Sequence, residues 1–248
     1  MGKKKKQSGK AAPAAVKAAP DYKKYIGLGM IPLAFFAVEA FGWVFLRGST
    51  GTRWPLVFGL LWTVILSAVV LGMPAKAGRI VFGLVYGLCA IYAVVETGYY
   101  ILFKEMMWLS DFRYASEGSD YFSVLLSYPI HWWLGILVLI GLGVAAVWLF
   151  PRGKYNWKQT VAAIVLFALA GNYAYRLPYD QFAQDKDVKF ARSDYGRMQS
   201  LEAAYENLFN THRLYQVCGL YQTLWKDIYA HSIYPLTPAY VQEHEAGR

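Results

Sequence analysis

The sequence predicts an all-α, polytopic membrane protein with five transmembrane helices, an external interfacial loop and an extracellular helical linker. Five stretches are apolar for about the thickness of a bilayer: Tyr25 to Leu46, Trp54 to Met73, Ile80 to Phe103, Ile130 to Phe150 and Trp157 to Leu177. Roughly 20 helical residues rising ~1.5 Å each cross the ~30 Å hydrocarbon layer, and a helix pairs its own backbone N–H and C=O groups there. Prolines and tryptophans mark the ends of these stretches. Pro55, Pro74, Pro129 and Pro151 fall where a missing N–H donor does least harm, and Trp54, Trp108, Trp132, Trp133, Trp148 and Trp157 fall at interface level.

The first 24 residues form a Lys-, Ala- and Pro-rich leader with eight lysines against Asp21, and so carry +7 of the chain's formal +9. Without a periodic apolar face it reads as a disordered basic tail that touches anionic lipid. It lacks the aromatic interleaving or folded groove of a nucleic-acid binder, so no nucleic-acid partner is expected. Ala40-Phe41-Gly42 mimics a signal-peptidase site, but the apolar run is too long for a signal peptide and continues to Leu46; it reads as an uncleaved anchor.

Thirteen basic residues lie in the leader and in the turns holding Lys76, Arg79, Arg152, Lys154 and Lys158, against four (Arg47, Arg53, Lys104 and Arg113) in the opposing short loops. The positive-inside rule therefore puts the N-terminus in the cytoplasm and the C-terminus outside a bacterial cell membrane. Three domains follow: the leader 1–24, a five-helix membrane domain 25–177 and an extracellular linker 178–248. Gly83 and Gly87 on the third span, and Gly135, Gly141, Gly143 and Ala145 on the fourth, predict close helix packing, with a dimer face as the alternative.

The loop from Lys104 to Pro129 is rich in Met, Trp, Phe and Tyr and reads as short segments on the outer interface. In the tail, Leu214, Val217, Cys218, Tyr221, Leu224, Trp225 and Ile228 follow helical spacing and predict an amphipathic helix; a weaker pattern at Leu201, Tyr205, Leu208 and Phe209 precedes it. Its apolar face needs a cover: the bilayer, the helix bundle or a further domain. Cys89 and Cys218 are too far apart in the predicted layout to pair, and no His or Cys grouping has metal-ligand spacing.

Glu39 and Glu96 are the acids inside the spans, each about 21 to 24 Å along its helix and hence in the outer third of the bilayer. Lys104, His131 and Arg176 come at or just outside that level. A carboxylate in a membrane costs on the order of 2.5–3.5 kcal/mol on insertion scales and so finds partners. Three readings stand: a structural pair between one acid and Arg176 or Lys104; an outward-facing recess in which Glu39, Glu96, Lys104, His131 and Arg176 receive a lipid headgroup, phosphatidylglycerol among the candidates; or a proton relay. No catalytic motif is present, so whether the chain acts as an enzyme is left open.

Three regions carry a likeness: Glu96-Thr97-Gly98-Tyr99-Tyr100-Ile101-Leu102-Phe103 running on to Ser110, Gly118 and Leu125-Leu126-Ser127; the five-span layout with a short turn before the fifth span; and Asn210-Thr211-His212-Arg213-Leu214-Tyr215-Gln216-Val217-Cys218-Gly219-Leu220-Tyr221 followed by Asp227-Ile228-Tyr229. Together they resemble the membrane half of the lipoteichoic acid synthase family, phosphoglycerol transferases whose extracellular catalytic domain belongs to the sulfatase and alkaline phosphatase superfamily. The resemblance implies transfer of glycerol phosphate from phosphatidylglycerol through a covalent Thr and a divalent metal, Mn or Mg, in cell-wall polymer synthesis. The sequence ends at Arg248, about where that domain would begin, so the nucleophile and metal ligands have no counterparts here. The implied role is a membrane anchor for a sulfatase-like catalytic domain in cis or in trans. Alternatives are a non-enzymatic interaction subunit of a cell-envelope complex, or a small transporter component.

Overall fold

A computed structural model describes residues 22–46, 54–107, 124, 127–151, 157–182 and 211–229. Within them the chain is all-α, with helices α1 (Tyr22–Phe45), α2 (Trp54–Leu71), α3 (Ala75–Phe103), α4 (Ile130–Trp148), α5 (Trp157–Phe182) and α6 (Thr211–Ile228). The first five are long and apolar enough to cross a membrane. The leader, the centre of the loop with Ser110 and Gly118, the pattern at Leu201 to Phe209, and His231 and His244 lie outside the described residues.

The predicted span ends shift at two places. α3 starts at Ala75, directly after Pro74, rather than at Ile80. The first turn, with Lys76 and Arg79, is helical although too polar to count as membrane core, because Pro is well suited to precede a helix and not to continue one. α5 runs through Pro178 to Phe182, five residues past the predicted end at Leu177.

α1 is the central rod and packs against α2, α3, α4 and α6, whereas α5 packs on α2. Phe35, Phe82 and Tyr86 form an aromatic core between α1 and α3; the Phe35 ring meets Phe82 edge-on at 5.4 Å, and Phe82 stacks on Tyr86 at 5.4 Å. α4 runs antiparallel to α1, with Gly135 beside Phe41 and Phe45 at one end and Leu149 beside Gly27 at the other. Midway, the Tyr86 hydroxyl donates to the Leu139 carbonyl at 2.6 Å.

The small residues behave in two ways. A Cβ on Gly143 would collide with the Tyr86 ring, so that glycine is needed for α3 and α4 to close, as predicted. Gly83, Gly87 and Gly141 have nothing within 4 Å of such a Cβ. Among the described residues the G-x-x-x-G of α3 therefore packs on no other helix, which corrects the expectation drawn from its spacing.

The first half of the amphipathic face of α6 is covered by the bundle, whereas Leu224 and Ile228 are half-buried and Trp225 is exposed. Leu214, Val217, Cys218 and Tyr221 are all at most 4% exposed, and Leu214, Val217 and Cys218 join Phe58 and Leu177 in one cluster. The opposite side is buried too: Gln222, Thr223 and Asp227 are 1%, 2% and 3% exposed. α6 is thus a sixth, inserted element. The Gln222 side chain accepts from the Trp62 indole N–H at 2.7 Å, and Trp62 stands halfway along α2, so the tail reaches well below the level of the helix ends.

Candidate functional site

α6 is two helical pieces joined at Gly219, whose backbone sits at φ 79°, ψ 179°. A left-handed φ of this kind suits glycine, which has no Cβ to clash. A break in a helix frees the first N–H groups of the piece that follows, and buried N–H groups need acceptors. Glu39 supplies them. Leu220 N–H donates to its Oε1 at 2.8 Å and Tyr221 N–H to its Oε2 at 3.1 Å, while the Trp43 indole donates to Oε1 at 3.1 Å.

Glu39 is 0% exposed, and these three donors are uncharged. A negative group at a helix N-terminus is favoured by the aligned peptide dipoles as well as by the hydrogen bonds. Room for the carboxylate comes from two glycines: a Cβ at Gly59 would stand 2.7 Å from the Glu39 Cγ, and one at Gly219 would collide with Oε1. The contact is reinforced around its rim. The Tyr221 hydroxyl donates to the Phe35 carbonyl at 2.7 Å, and the Thr223 hydroxyl closes back on the Gly219 carbonyl at 2.7 Å.

Glu96 is likewise 0% exposed. It accepts the Met107 N–H at 3.2 Å, which folds the chain after α3 back onto the helix, and it hydrogen-bonds the Tyr92 hydroxyl, within electrostatic range of which lie Asp227 and Glu39. Glu39 and Glu96 are thus each enclosed separately, and Asp227 of α6 is a further buried acid, 3% exposed. Asp227, Tyr92, Trp62 and Gln222 were not among the site residues expected from the sequence. The last three belong to apolar or amphipathic runs with no signal of their own.

The three cationic candidates are exposed. Lys104 terminates α3 in a left-handed conformation (φ 61°), with its ammonium 5.7 Å from the Tyr100 ring centroid. His131 opens α4 and stacks on Phe45 at 5.5 Å with the rings 4° from parallel. Arg176 lies near the end of α5. All three are at the end of the bundle where α6 enters. The acids and the cations therefore have different surroundings, the former enclosed by protein donors and the latter open.

His212 in the first turn of α6 stacks on Tyr100 at 4.7 Å and its Nε2 lies 2.7 Å from the Gln216 amide nitrogen. Burial pushes the imidazole below its ordinary 6.5. Comparison of the chain with family models, with curated proteins and with solved structures gave no match.

Proposed function

We propose that this polytopic membrane protein is the anchor of a lipoteichoic acid synthase-like phosphoglycerol transferase, holding a sulfatase-like catalytic domain, in cis or in trans, against the outer leaflet where phosphatidylglycerol resides. The observation that supports this reading is the Glu39 contact. A linker that only tethered a domain would need no buried carboxylate, no helix break and no aromatic plug. Here α6 is fastened at Glu39, Phe35 and Trp62, which fixes its position in the bundle.

Such fastening raises the local concentration of a catalytic domain near its lipid substrate and limits its orientations. Exposed Lys104, His131 and Arg176 at the same end supply cationic and hydrogen-bonding groups for a phosphate. In this reading the divalent metal, Mn or Mg, would be held by the catalytic domain.

The test is purification of the full chain from its native membranes followed by assay of glycerol phosphate transfer from labelled phosphatidylglycerol. Co-purifying transfer activity supports the reading. Glu39→Ala should then slow transfer from membrane lipid while leaving hydrolysis of a water-soluble glycerophosphate ester unchanged. Material devoid of transfer activity and of any sulfatase-like polypeptide overturns it.

A further inference from the structure

At the opposite end of the bundle from Lys104, a groove of about 490 Å³ runs between α3 and α4. Arg79, Gly83 and Tyr86 form its α3 side and Ile140, Val144 and Trp148 its α4 side. The two helices are antiparallel, so Arg79 and Trp148 share the end near the membrane surface, while Tyr86 and Ile140 share the deep end. Seven residues of helix separate Arg79 from Tyr86, or about 10 Å of depth. The hydrogen bond from Tyr86 to the Leu139 carbonyl closes the bottom. The floor is open because Gly83 carries no side chain and nothing stands within 4 Å of where one would begin.

We propose that this groove holds one acyl chain of an anionic glycerophospholipid whose phosphate is bound by Arg79. The reading stands apart from the anchor role, since it concerns the other side of the bilayer. Three observations favour this occupant. The walls are apolar and face outward, with Ile140, Val144 and Trp148 at 56%, 64% and 73% exposed. A guanidinium at the mouth offers paired N–H donors to a phosphate, and an indole beside it sits at the level where Trp is enriched. The alternative occupant, a second copy docking on Gly83 and Gly87, brings Arg79 toward its own counterpart, because two copies in one membrane share their orientation; like charges near hydrocarbon repel strongly.

Native mass spectrometry of the full chain, loaded from vesicles of phosphatidylglycerol or of phosphatidylcholine, reads the proposal. The wild type should retain one phosphatidylglycerol with about tenfold preference, and millimolar inorganic phosphate should not displace it. Gly83→Leu, which fills the floor, should lower retention of both lipids about tenfold; Arg79→Gln should keep phosphatidylcholine binding and bring the preference to within about twofold. If Gly83→Leu melts early, Val144→Trp blocks the same trench from α4. Undiminished lipid retention in a folded groove-filling variant overturns the proposal, as does an unchanged preference in Arg79→Gln. Efficient disulfide crosslinking of two Gly83→Cys chains in membranes overturns it in favour of a second copy.

Discussion

The Glu39 carboxylate and the Leu220 backbone N–H, 181 positions apart in sequence, meet at 2.8 Å in a fully buried site. This bond joins the first membrane span to the last described helix, and with the Tyr221 N–H it settles both oxygens of the acid. A charge that costs free energy to insert is thereby matched by donors that also cost free energy to bury.

Removing the acid leaves two buried N–H groups without an acceptor. Glu39→Ala should destabilise the docking of α6 by about 3 kcal/mol, since an unsatisfied buried donor costs roughly 1–3 kcal/mol. Glu39→Gln keeps one acceptor oxygen but sets an amide NH₂ against a backbone donor, and should cost about half as much. Hydrogen exchange at Leu220 and Tyr221 reads this directly. Equal protection in all three proteins would show that the carboxylate does not hold the tail.

Gly219 is the other half of the same contact. Gly219→Ala places a Cβ at φ 79° and drives it into the Glu39 carboxylate. This combination of positive φ with an extended ψ is essentially confined to glycine and alone costs another residue on the order of 1–3 kcal/mol, and the collision adds to it. Gly219→Ala should therefore expose the tail to protease in detergent, whereas Gly29→Ala, which meets open space, should not.

The five spans were legible in the sequence because hydropathy integrates over many residues and survives errors at any one. Their ends were less so: the first turn of α3 is polar yet helical, and α5 does not stop at Pro178. The apolar face predicted for α6 is buried at Leu214, Val217, Cys218 and Tyr221 but not at Trp225, which is exposed, and its cover was left open among three surfaces, since periodicity marks an apolar face and not what buries it. The break at Gly219 had no local signal; a glycine between Cys218 and Leu220 is compatible with a continuous helix. Glu39 and Glu96 stood out by chemistry and depth. Asp227 did not, because an acid on an amphipathic helix ordinarily faces water. Gly83 and Gly87 misled for the opposite reason, as their spacing is shared by packed and lipid-facing helices.

The contrast between glycines on α4 gives a further test. Gly143→Ala forces a methyl into the Tyr86 ring, whereas Gly141→Ala meets nothing within 4 Å. Overpacking costs typically 1–3 kcal/mol, so Gly143→Ala should lower the thermal midpoint of the purified protein. Gly141→Ala should leave it unchanged or raise it slightly, since alanine is favoured over glycine inside a helix by roughly 0.5–1 kcal/mol. Identical midpoints for the two variants would place Tyr86 elsewhere than against α4.

His212 makes tail docking depend on pH. Its imidazole is held below the ordinary 6.5 by burial, stacked on Tyr100 and beside Gln216. A released tail binds a proton more readily than a docked one in the interval between the lowered value and 6.5, so docking weakens as pH falls through that interval. It is fully favourable above about pH 7 and level again below the lowered value, once both states are protonated. Protease sensitivity of the tail should accordingly rise between pH 7 and pH 5. His212→Gln, which has no charge to gain, should flatten that part of the profile; an unaltered profile in this variant would assign the pH response to another group.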